Sequence, residues 1–149
     1  MKVELLFPPI LENSSVWIVR VGNVQLGINF GHRWCINTGG EGRLIQTPND
    51  MMPMLPLLEI GRGDFYEHLL HIESSWGKLL ELTESFPESL LLRFAFDSSF
   101  SDYWPIKALD WLDNESSIDS EVMESLRRIS GQRWVSQNLR QRVKKKIGK

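Results

Sequence analysis

At 149 residues and 17.3 kDa, the chain is long enough to bury a hydrophobic core as one domain. Its 42% hydrophobic and 24% charged residues argue against disorder, and its longest apolar runs, SLLLRFAF and MMPMLPLLEI, fall far short of the ~20 residues of a membrane helix. The formal net charge is -2, but residues 134–149 hold six cations and no acid, while the span from Glu59 to Glu124 sets 15 acids against Arg62, Lys78, Arg93 and Lys107.

The opening MKVELLFPPILENSS has neither the basic region nor the small-residue cleavage site of a secretory signal. Cys35 is the only cysteine, so no internal disulfide forms, and a reducing cytoplasm is the expectation. SVWIVRV and VQLGINF flank Gly22-Asn23, a two-residue hairpin signal. RWCIN and GRLIQ flank TGGE and predict a second, looser hairpin. Pro48, Pro53 and Pro56 interrupt TPNDMMPMLPLLEI, which reads as a connecting segment that closes a β-rich part over residues 1–58.

From Gly63 the apolar period becomes helical. Phe65, Leu69, Ile72, Trp76 and Leu79 fall on one face, with Glu67, His71, Ser74, Lys78 and Glu81 opposite. Ser85-Phe-Pro-Glu88 matches a capping box, and the following SLLLRFAFD, polar at Ser89, Arg93 and Asp97, reads as a mostly buried helix or a buried strand. Ser101 or Asp102 caps a helix running to Leu112, Asp119 caps SEVMESLRRI, and Val135, Leu139, Val143 and Ile147 mark a last helix from about Trp134. The expected fold is α+β: a single domain with a β-hairpin region followed, over residues 59–149, by about five packed helices.

No catalytic set emerges. His68 and His71 lie three apart, whereas a helical metal pair commonly uses a spacing of four, and the chain offers no other Cys/His cluster. His32 and Cys35, three apart on a strand, would point to opposite faces, so Cys35 reads as a small buried thiol. GGEGR lacks the Lys-Ser/Thr and helix of a phosphate loop, and GxSxG is absent. No metal and no cofactor are expected. Trp104, Ala108 and Trp111 share a helix face and read as core, while Trp17 lies on a hairpin with one face open to a partner.

The tail RQRVKKKIGK, with Arg140, Arg142, Lys144, Lys145, Lys146 and Lys149, permits a nucleic-acid-binding reading. The acidic body disfavours it: cations near a helix C-terminus complement the helix dipole and can lie against acidic helices.

The stretch FSDYWPIKALDWLDN, followed by RWVSQNLRQRVKK, resembles the closing helices of small bacterial immunity proteins from polymorphic-toxin or contact-dependent growth inhibition systems. That resemblance implies a non-enzymatic cytoplasmic protein that neutralises a cognate toxin. Charge gives independent support, because dense carboxylates steer toward the basic cleft of a nuclease. The residues expected to supply that surface are Asp97, Asp102, Asp110, Asp113, Glu115, Asp119, Glu121 and Glu124. The alternative is a nucleic-acid-binding accessory protein using the tail.

Overall fold

A computed structural model describes residues 2–39, 42–76, 80–113 and 117–148. The fold is α+β: a five-stranded antiparallel sheet, a 3₁₀ segment and six helices among the described residues. The chain divides into two compact units, Met1–Pro87 and Glu88–Lys149, so the first two helices fold with the sheet.

In the first unit, β1 (Val3–Glu12), β2 (Ser15–Val21), β3 (Val24–Asn29), β4 (Trp34–Asn37) and β5 (Arg43–Leu44) pair in chain order. Gly22-Asn23 makes the β2–β3 turn, with Gly22 at φ +59° and Val21 opposite Val24, and the looser β4–β5 hairpin forms too. β1 was not legible in the sequence because Pro8 and Pro9 interrupt it. Both fall in a gap in the pairing between Leu5 and Ile10 on an edge strand, a place that tolerates proline's missing N–H. Asn13 and Ser14 turn the chain into β2, both at positive φ (54° and 60°).

β2 is buried along nearly its whole length, and the sheet bulges within it. Trp17 faces Gly27 and Val19 faces Leu26, which leaves Ile18 as an extra residue. Gly27 permits a close approach of the strands: a Cβ there would lie 2.2 Å from the Val16 carbonyl oxygen. Trp17 is buried, with its indole donating to the Glu12 carbonyl, so this residue is not part of an open hairpin face.

The expected connector is instead a 3₁₀ helix, Pro48–Glu59. Met51, Met54 and Leu57, all buried, repeat every three residues, the 3₁₀ period, and Pro53 and Pro56 fall on another row. Helix α1 (Arg62–Ser75) buries Phe65, Leu69 and Ile72 as the spacing predicts. Its expected extension through Lys78 and Leu79 lies outside the described residues. Ser85 does not open a capping box. It ends the short α2 (Leu82–Ser85), where its hydroxyl donates to the Glu81 carbonyl and accepts the Trp34 indole N–H. Trp34, Phe65 and Phe86 form an edge-to-face cluster beside it.

The described residues of the second unit form four helices: α3 (Glu88–Ser98), α4 (Tyr103–Leu112), α5 (Ser120–Ser130) and α6 (Gln137–Ile147). SLLLRFAF is therefore helical. α3 and α6 each pack against α4 and α5, around Leu91, Ala95, Ala108, Leu109, Leu126 and Leu139. Asp119 caps α5 by accepting the Glu121 and Val122 N–H groups. α6 starts later than Trp134, because the Ser136 hydroxyl accepts the Leu139 N–H and fixes the first turn there.

Candidate partner-binding surface

The acids expected to meet a partner lie along two helix–helix seams of the second unit. On the first, polar positions of α3 meet α5: Ser89 donates to Asp119, and Arg93 reaches Glu121 at 2.9 Å. Farther along this seam the Arg128 guanidinium grips both Asp97 oxygens, at 3.0 and 2.9 Å, and Asp97 also accepts from the Ser125 hydroxyl. The Asp97 carboxylate accordingly holds Arg128 firmly in its charged form. On the second seam, Arg142 of α6 bridges Asp110 and Asp113 of α4 at 3.1 Å each, and Lys146 meets Asp113 at 2.7 Å.

The remaining acids are engaged as well. Glu124 pairs with Arg127, and Asp102 accepts the Ser136 backbone N–H at 3.4 Å. Glu115 lies outside the described residues. Internal pairing thus involves each described member of the set. By charge, residues 88–149 hold nine acids against eleven cations, and residues 1–87 hold ten acids against six. The excess of negative charge belongs to the first unit.

The tail is built into the same seams. Arg140 donates to the carbonyls of Ser130, Gln132 and Val135, serving the unpaired end of α5, while Arg142 and Lys146 join α4. Lys144 and Lys145 are exposed, and Lys149 is outside the described residues.

What the charge argument missed is apolar. Phe100, in the α3–α4 connection, is 87% exposed, and Tyr103, in the first turn of α4, is also exposed. Phe100 sits on the wall of a depression of about 200 Å³ shared with Phe96, Asp97, Arg128 and Trp134. Its exposure has a sequence correlate: Phe100 falls outside the apolar period of either neighbouring helix. The expected cap of α4 does not form, because Asp102 holds the N-cap position but its carboxylate turns to the Ser136 N–H and makes no cap bond. Trp111 and Ala108 are core as expected, and Trp104 is half-buried.

The other singled-out groups are placed as follows. His32 lies in a turn at φ +64° and is exposed, not on a strand as its spacing suggested. Cys35 is buried against the Ser15 hydroxyl, and burial pushes its thiol pKa up, so the reactive thiolate is disfavoured. His71 stacks on Phe7 with ring centroids 4.0 Å apart. His68, only 9% exposed, places Nε2 2.9 Å from the Ile18 carbonyl, the one left over at the bulge. That contact makes Nε2 the N–H donor, and desolvation pushes the imidazole pKa below its ordinary value. Among the described residues, no group of three or more His, Cys, Asp or Glu is placed to hold a metal ion. None of the described helices is long and apolar enough to cross a membrane.

No protein-family model, curated protein or solved structure matches the chain.

Proposed function

We propose that this is a non-enzymatic cytoplasmic binding protein of the immunity type, which occludes a cognate toxin domain, with a basic nuclease as the favoured partner. The observation that carries a protein-binding role is Phe100, an aromatic side chain left 87% exposed beside the Asp97–Arg128 pair. Exposed aromatics set among charged groups are the usual anchors of protein interfaces, where their burial provides most of the affinity. On this reading Phe100 and Tyr103 enter the partner, and the carboxylates of Asp97, Asp102, Asp110, Asp113, Asp119, Glu121 and Glu124 face its basic rim. That rim competes with Arg128 and Arg142 for the acids, so charge guides approach and register more than it sets affinity.

The toxin partner itself rests on the resemblance of FSDYWPIKALDWLDN and the following helix to immunity proteins. The decisive experiment is to identify the genes flanking this one and to test protection on co-expression with any toxin-like protein they encode. Wild type should protect and co-purify with it at one-to-one stoichiometry. Phe100→Asp should melt like wild type, because its side chain is exposed, yet lose both protection and capture. Protection undiminished in Phe100→Asp would remove this surface from the account, and absence of any protection would remove the immunity reading.

A further inference from the structure

The first unit carries a second surface of a different kind. The groove between β1 and α1 is an open cavity of about 560 Å³, with Leu5, Asp64, Glu67, His68, Leu70 and His71 on its walls. Leu70 is 55% exposed and Phe7 is 47% exposed. Phe7 is held in place all the same, by its stack on His71.

The charges here contrast with those of the second unit. There Asp97, Asp110, Asp113 and Glu121 of the seams each meet a cation from their own chain. Among the described residues, Asp64 and Glu67 take part in no ion pair or side-chain hydrogen bond. Residues 59–84 hold six acids against Arg62 and Lys78. Arg62 lies over the Tyr66 ring, 4.4 Å from its centroid. His68, the buried wall residue, spends its N–H on Ile18 and is biased toward the neutral form by burial, so it brings no counter-charge. Apolar side chains and uncompensated carboxylates thus share one groove, where a cation from outside would find an acceptor pair and an apolar neighbour together.

We propose that the β1–α1 groove is a docking site for a basic amphipathic segment of a partner protein. A lysine or arginine of the segment meets Asp64 and Glu67, and an apolar side chain covers Leu70 and Phe7. This site does not depend on the Phe100 surface, and either one can fail alone.

The probe is a short amphipathic peptide of leucine and lysine, with a leucine–glutamate peptide as control, titrated into the full chain and followed by amide chemical shifts. The expected result is that the lysine peptide shifts amides of residues 64–71, while the control does not. Asp64→Asn with Glu67→Gln should weaken binding about tenfold at low salt and flatten its salt dependence, and Leu70→Asp should abolish it. Phe100→Asp and Glu124→Gln should bind the peptide as wild type does. Should Leu70→Asp disturb the fold, the double carboxylate variant decides alone. Shifts centred on residues 97–124, equal binding of both peptides, or full affinity in the double variant would overturn the proposal. So would a low-salt dimer, detected by sedimentation, that dissociates in Leu70→Asp, because the occupant would then be a second copy of this chain.

Discussion

Replacing His68 with leucine tests the link between the β2 bulge and α1. Leucine keeps a side chain of similar bulk against the sheet but removes the N–H that serves the Ile18 carbonyl. Ile18 is fully buried and has no strand partner at that point, so water cannot take over without opening the sheet. A buried acceptor left unsatisfied costs about 1–3 kcal/mol. With a urea dependence of roughly 1–3 kcal/mol per molar, the midpoint should fall by about 1 M. His68→Gln retains an N–H at similar reach and should recover most of that loss. The pH dependence supplies an independent readout. Burial depresses the His68 pKa in the folded state, so the unfolded chain binds the proton more readily. The contribution of neutral His68 to stability is therefore present above about 6.5 and is lost as pH falls below that value toward the folded-state pKa. Both variants should lack this part of the acid destabilisation. The assay is urea unfolding followed by far-UV circular dichroism between pH 5 and pH 8. A His68→Leu chain as stable as wild type at neutral pH, or a Gln variant no better than Leu, would refute the hydrogen-bond account.

Three further outcomes follow from contacts described above. Gly27→Ala sets a methyl group against the Val16 backbone at 2.2 Å, and the shift it forces should cost at least roughly 2 kcal/mol in thermal unfolding. Asp119→Ala removes the α5 cap and the Ser89 contact, and should cost about 0.5–2 kcal/mol in the same assay. Arg142→Gln should lower stability by at most about 1 kcal/mol in dilute buffer, with the difference shrinking in 1 M salt, whereas Lys144→Gln with Lys145→Gln should leave the melt unchanged.

The helices were legible where one apolar stripe met one core, as in Phe65, Leu69 and Ile72 or Leu139 and Val143. The Gly22-Asn23 turn was legible because the backbone demand falls on a residue that suits it. β1 and the 3₁₀ segment were not, for one shared reason. Proline forbids the α-helix interior and the sheet interior, but it does not forbid an edge gap or a three-residue helical repeat, and a reading that treats proline as a breaker misses both. The acidic segment shows a different limit. Asp97, Asp110 and Asp113 look like free charge in a linear count, since Arg128, Arg142 and Lys146 lie 29 or more residues away. Only the packing of α3 on α5 and of α4 on α6 brings them together. Exposure of Phe100 left only a positional trace in the sequence, its place between two helices and outside the apolar period of both.

The same edge strand also governs how this protein can associate. A sheet grows when its outer strand offers alternating donors and acceptors to a newcomer. Pro8 and Pro9 interrupt the donor pattern midway along β1, and the opposite margin, β5, is only two residues long. A passing strand finds no continuous template on either side. The first unit can therefore keep a strongly apolar sheet without inviting copies of itself to stack edge to edge, and whatever binds it must be recognised through side chains instead of backbone.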